Sequence, residues 1–208
     1  MKVIWGITGE KAASRMSSVH TIAIICEDDS DFKSLKVIIQ SITGKTNLSF
    51  KKKSAGGCGM IKRKALAWSE EFHRKGCDLL LIIHDRDRND YNKLEEQLRS
   101  IMKTSSFKNR YICIPVEELE AWFLSDPQAL KDALNLDRLP KIAGLPETID
   151  SPKEYIQNQA ASCSQNKVMY INTIHNEKIA KLISIDQMLR RAPTFKLFHD
   201  YIDSYSYS

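Results

Sequence analysis

The chain has 208 residues, 42% of them apolar and 27% charged, with a formal charge of +5. That length suits one domain able to bury a proper core, and the composition is that of an ordinary globular protein. No stretch approaches the roughly 20 apolar residues a membrane span needs, and the opening MKVIWGITGEKAASRMSSV reaches Glu10 too early for a signal peptide, so the expectation is a cytoplasmic protein without a membrane anchor.

Residues 1–18 carry little patterning and read either as a disordered arm or as residues upstream of a start at Met16. "TIAIIC" (Thr21–Cys26) is rich in β-branched residues and predicts a buried strand. Asp28, Asp29 and Ser30 are good N-cap residues; Phe32, Leu35, Ile38, Ile39 and Ile42 follow at helical spacing, and Gly44 suits the stop. "LSFKKK" predicts a second, weaker strand, and Gly56, Gly57 and Gly59 a loop ahead of an amphipathic helix from about Met60 to Lys75. "DLLLIIH" is the third strand, followed by a helix capped by Asn89 or Asp90 and carrying Leu94, Leu98, Ile101 and Met102. "RYICIP" is the fourth.

Strands alternating with such helices imply βαβ crossovers, hence an α/β fold with a mainly parallel four-stranded sheet and helices on both faces. Beyond Pro115 helices are expected at Glu117–Leu124, Pro127–Leu134, Pro152–Ala161 and Glu177–Ile183, with a last one opened by Pro193. Asn135–Ser151, with its prolines, reads as a linker or an ordered excursion, and Tyr201–Ser208 as a frayed end. The expected organisation is therefore an arm (1–18), an α/β core (19–125) and a C-terminal helical extension packed on it (126–208).

The five cysteines are odd in number and scattered, without a CxxC pair, which argues against a zinc site or a disulfide framework. The chemistry lies in the acids. In an open parallel sheet, ligands bind outside the carboxyl ends of the strands. Glu27 follows the first strand, Asp85 and Asp87 the third, and Glu117, Glu118 and Glu120 the fourth. Asp85 and Asp87 are two apart, so on an extended segment they point the same way; Glu27 and Asp31 are four apart across a helix start. Carboxylates gathered there repel by roughly 4 kcal/mol per close pair, a cost that a divalent cation removes. An all-oxygen set favours Mg²⁺ or Mn²⁺, and two such ions about 4 Å apart can drive phosphodiester cleavage. The competing reading is a turn of helix-capping acids neutralised by Arg86 and Arg88.

Other features read more simply. Lys51, Lys52, Lys53, Lys62, Arg63 and Lys64 form a basic block suited to phosphates or to a solvated surface. "GKT" (Gly44–Thr46) lacks the upstream glycine of a phosphate loop and is a helix stop. "SAGGCG" either presents backbone N–H groups to a phosphate or is only a flexible loop. Trp122 and Phe123 are core residues, and His84 a structural neighbour of the buried strand.

"IICEDDSDF" followed by "LLLIIHDRDRND" resembles the Toprim pattern, a strand ending in glutamate and a later strand ending in Asp-x-Asp. Toprim domains occur in topoisomerases, primases, recombination proteins and the OLD (overcoming lysogenization defect) nucleases, and the Glu27–Asp31 spacing is similar to that of the last group. "PVEELEAWFLSDPQAL", "IDSPKEYI" and "RRAPTFKLFHDYI" resemble a family of small stand-alone bacterial Toprim-like proteins that carry a domain-of-unknown-function label. That family is often encoded beside an ABC-type, SMC-like ATPase in arrangements linked to phage defence.

The resemblance implies a Mg²⁺- or Mn²⁺-dependent nuclease acting on DNA or RNA, with an ATPase as partner and a homodimer as one assembly. It implies Glu27, Asp31, Asp85 and Asp87 as metal ligands, Glu120 as a further one, and Glu27, Asp85 and Asp87 at the chemistry. Two departures stand out: Asp28 takes the place of the usual glycine after the glutamate, and the lysine of the OLD nucleases has candidates in Lys153 and Lys178. Alternatives are a haloacid-dehalogenase-like phosphatase with Asp85 as nucleophile, a transferase that holds a nucleotide-sugar through Mg²⁺, and a non-catalytic assembly partner of the ATPase.

Overall fold

The computed structural model describes residues 18–208; but for Ser18, the arm expected over residues 1–18 lies outside them. The apolar runs form four strands, β1 (Thr21–Cys26), β2 (Ser49–Ser54), β3 (Leu79–Ile83) and β4 (Arg110–Cys113). They make one sheet in the order β2-β1-β3-β4, parallel throughout. β1 and β3 occupy the middle and are covered on both faces, which is why they read as unbroken apolar runs rather than alternating ones.

Successive residues of the central strands serve two cores. Ala23, Ile25, Leu80 and Ile82 pack under α2 (Cys58–Arg74) and α3 (Tyr91–Met102) through Ile61, Phe72, Leu94 and Leu98. Ile22, Ile24, Leu79 and Leu81 face the larger core, shared with α1 (Asp29–Thr43) and with the C-terminal helices. Those are α4 (Glu120–Phe123), α5 (Pro127–Leu134), α6 (Pro152–Cys163), α7 (Asn172–Leu182), α8 (Ile185–Arg191) and α9 (Pro193–Asp203). Trp122 is fully buried there, its Nε1 donating to Thr194 Oγ1 at 2.9 Å and its ring set edge-on to Phe195; it is core. No helix among the described residues is long and apolar enough to cross a membrane.

Local chemistry sets the helix ends. Asp28 caps α1, accepting from the N–H groups of Ser30 and Asp31, while Asp31 Oδ2 accepts from Asp28 N–H in return. Gly44 closes the helix at φ 65°, left-handed backbone that glycine adopts without strain. Asp126 caps α5 ahead of Pro127 and also accepts from Ser184 N–H at 3.0 Å, tying α5 to the start of α8.

Several boundaries differ from expectation. The helix expected over Glu117–Leu124 is confined to Glu120–Phe123, because Glu117 sits at φ 59° and cannot be helical. α7 begins at Asn172 rather than Glu177; in place of a capping side chain, Ile171 N–H donates to His175 Nδ1 at 3.0 Å. α8 carries a single buried residue, Met188, too little pattern to announce a helix. The Asn135–Ser151 excursion is pinned: both Glu147 oxygens accept from Thr194 N–H, and the Arg191 guanidinium donates to the Ser125 and Gly144 carbonyls.

The tail is not frayed. Val19 N–H donates to Ser206 O at 2.8 Å and Ser208 N–H to Val19 O at 3.2 Å, pairing the tail with the segment before β1. Tyr201 stacks on Tyr111 of β4 with ring centroids 4.5 Å apart, and the Tyr205 hydroxyl donates to that of Tyr201. Ending the chain after Asp203 should therefore lower the thermal midpoint by roughly 3–8 °C in a calorimetric scan. A dispensable tail would leave it unchanged.

Candidate metal centre

Parallel pairing sends every strand out at the same edge. Ile25 lies opposite Ile82, and Ile83 opposite Cys113, so the residues just past β1, β3 and β4 emerge side by side. Glu27 and Asp85 meet there: Asp85 N–H donates to Glu27 Oε1 at 3.3 Å. Asp31 joins them from the first turn of α1 and Glu120 from the first turn of α4, both buried. His84 is buried behind the pair, its Nδ1 2.7 Å from the Asp85 carbonyl and 3.5 Å from Glu27 Oε1. Lys153, near the start of α6, stands at the rim with Nζ 3.6 Å from Glu118 and 4.0 Å from Glu120.

The electrostatics follow from four acids sharing a poorly hydrated corner. Burial pushes the Glu27 carboxyl up to about 7, aided by the charge of Asp87 and opposed by the hydrogen bond from Asp85 N–H. Burial also holds Asp31 and Asp85 well above the usual carboxylate range, and the charges of Glu120 and Glu27 add to both, with Asp28 pressing on Asp31 and Asp31 on Asp85. Burial opposes the Lys153 charge, but Glu120, Glu118, Asp85 and Asp31 outweigh it and bring the amine up to about 12. The cluster thus attracts protons and cations alike.

Two expectations are corrected. Asp85 and Asp87 do not share one extended segment: the backbone turns left-handed at Asp87 (φ 47°) and Arg88 (φ 60°), leaving Asp85 part-buried and Asp87 exposed. Asp87 still acts on Glu27 through its charge. Nor do the arginines neutralise these aspartates; Arg86 lies 3.5 Å from Glu117 Oε1, while Arg88 N–H donates to Glu117 Oε2 and Asp87 N–H to Glu117 O. Three left-handed non-glycine residues, at a cost on the order of 1 kcal/mol each, are clasped together in this way. They border a shallow groove of about 190 Å³ lined by Asp87, Arg88, Glu117, Glu118, Asp150 and Glu154.

Asp28 needs no glycine-like turn, since its backbone is extended (φ −136°) and its side chain is the α1 cap. The glycine loop is tied to the site by its backbone, Gly56 N–H donating to the Glu27 carbonyl at 2.9 Å. The basic block is divided. Lys52 pairs with Asp29 and lies 5.2 Å over the Phe32 ring, Lys53 pairs with Glu71 at 2.8 Å, and Arg63 donates to Gly59 O, while Lys51 and Lys64 are exposed and Lys62 part-buried. Sequence reasoning missed Tyr170 and Asn176, which contact Glu120, and Asn172, whose Nδ2 donates to Asp28 Oδ2 at 3.3 Å.

The donor chemistry fits a hard divalent cation: carboxylate oxygens from separate elements, crowded enough to resist ionising without one. Among the described residues no group of three or more His, Cys, Asp or Glu side chains is placed to hold a metal ion. That is compatible with Mg²⁺, which is commonly held by one or two carboxylates while water or phosphate completes its shell.

Because the folded state binds protons that the unfolded chain releases, stability should fall as pH rises. For Glu27 the loss runs from its ordinary value near 4.5 to about 7, and Asp31 and Asp85 act in the same direction. Thermal melts in chelator should show a lower midpoint at pH 8 than at pH 5.5, and Glu27→Gln should flatten that slope. The comparisons with known proteins are sparse. Nothing among curated proteins matches the chain, and nothing among solved structures does. One family model matches residues 21–203, from β1 to the end of α9, and the chain therefore belongs to the family described as "Domain of unknown function (DUF4276)".

Proposed function

We propose that the chain is a Toprim-type phosphodiesterase that takes Mg²⁺ or Mn²⁺ and cuts nucleic acid in concert with an ABC-type, SMC-like ATPase. The observation that carries this reading is the meeting of Glu27 and Asp85 at the ends of adjacent parallel strands, with Asp31 and Glu120 close enough to raise the proton affinity of Asp85. When bound, the cation would polarise a phosphoryl oxygen and make a water easier to deprotonate.

The chain's own residues then take distinct parts. Glu27 and Asp85 are the principal ligands, held by the two most buried strands. Asp31 and Glu120 balance the charge from the helix side. Asp87, exposed at the rim, is placed to meet substrate or solvent rather than to sit deep in the site. Lys153 carries its charge beside the acids, where an incoming phosphate would arrive. Lys51 and Lys64 are exposed on β2 and α2 and would meet phosphates there, and Lys52 and Lys53 would have to exchange Asp29 and Glu71 for phosphates.

A second reading, a non-catalytic partner of the ATPase, is favoured by one observation: Asp31 is already engaged in the α1 capping box. Incubating the full chain with Mn²⁺ and either plasmid or tRNA, with and without a candidate ABC-type, SMC-like ATPase, separates the two. The phosphodiesterase reading predicts cleavage that Glu27→Ala and Asp85→Ala reduce to background and excess EDTA abolishes. Equal cleavage in the variants or in EDTA would refute it. A stable complex that cuts neither substrate under any condition would establish the assembly role instead.

A further inference from the structure

Glu120 is 2% exposed, and a carboxylate that deep is costly unless donors surround it. Two neutral side chains of the C-terminal layer address it. Asn176, on α7 and fully buried, donates from Nδ2 to Glu120 Oε1 at 3.1 Å. Tyr170, 4% exposed, places its hydroxyl 3.2 Å from the same oxygen and also donates to Asn176 Oδ1. The amide thus has one end on Glu120 and the other on Tyr170, and the Tyr170 ring is stacked on His175 with centroids 6.0 Å apart. The single Tyr170 hydroxyl proton orients Asn176, whose amide donates to Oε1, and this leaves Oε2 as the oxygen for other partners.

Packing alone does not ask for this arrangement. Position 176 lies on the buried face of α7, in turn with Ile179 and Ala180, where an apolar residue would fill the space without needing a partner. An asparagine there is useful because of what it holds. α7 reaches the same corner a second time through Asn172, whose Nδ2 lies 3.3 Å from Asp28 Oδ2 and 3.4 Å from Ser30 Oγ. One helix therefore touches both helix-borne acidic arms of the site, the start of α1 and the start of α4.

The geometry points to Asn176 and Tyr170 as positioning residues that fix Glu120 by Oε1 so that Oε2 is turned to a divalent cation. This rests on the metal-dependent reading of the site. Such supporting partners set carboxylate orientation, and their loss typically weakens metal binding by about 10- to 100-fold. A merely structural role would lower stability without changing affinity for the metal.

The test uses the full chain without nucleic acid, with Mn²⁺ binding followed by the EPR signal of the free aquo ion and the thermal midpoint measured in chelator. Tyr170→Phe removes one hydroxyl and keeps the ring; Asn176→Ala removes the amide. The expected result is saturable Mn²⁺ binding by the unaltered chain, weakened about 10-fold or more in Tyr170→Phe while that variant still melts cooperatively, with a similar or larger loss in Asn176→Ala. Unaltered affinity in a folded Tyr170→Phe would overturn the positioning role and leave the metal site standing. No saturable binding by the unaltered chain would overturn the metal reading itself, and this role with it.

Discussion

The structure turns on a repulsion. Glu27, Asp31, Asp85 and Glu120 are like charges set into one poorly hydrated corner at the carboxyl edge of a parallel sheet. Acids placed in solvent would cost nothing there; these are held by elements with no freedom to separate. β1 and β3 are the two central strands, buried but for Thr21, and Glu27 and Asp85 follow directly from their buried ends. α1 is anchored by a reciprocal cap at Asp28 and Asp31, and α4 by Trp122 and Phe123 in the main core.

The rest of the molecule can be understood as what makes that corner tolerable. Protons neutralise part of the charge at low pH, Lys153 supplies a cation at the rim, and Asn176 and Tyr170 supply neutral donors from behind. Glu117 receives the N–H groups of Asp87 and Arg88 and so ties the loop after β3 to the segment after β4. A divalent cation would offset the repulsion more completely than any of these, which is the physical basis for reading the corner as a metal site and, through it, as a site for phosphodiester chemistry.

The sheet was legible in the sequence because its central strands are apolar runs after Thr21 and its helices begin and end on strong signals, Asp28, Gly44, Asp90, Asp126 and Pro193. The meeting of Glu27 with Asp85 was also legible, since parallel strands must release their ends at one edge. What was hidden depended on backbone handedness and on partners far along the chain. An Asp-x-Asp pair reads as two side chains on one face only while the backbone stays extended, and Asp87 is left-handed. Asn176 escaped because α7 lacks a capping side chain and a clear apolar stripe, so its start at Asn172 could not be seen. The tyrosine tail looked dispensable because its partner, Val19, lies at the other end of the described chain.

The central claim is that the corner between β1 and β3 binds a divalent cation through Glu27 and Asp85. An anomalous difference map from a crystal of the full chain grown or soaked in Mn²⁺ tests it most directly. The expected result is a peak within coordination distance of Glu27 and Asp85, on the side facing Asp31 and Glu120. A peak only in the outer groove beside Asp87, Glu117 and Asp150, or no peak at saturating Mn²⁺, would contradict it.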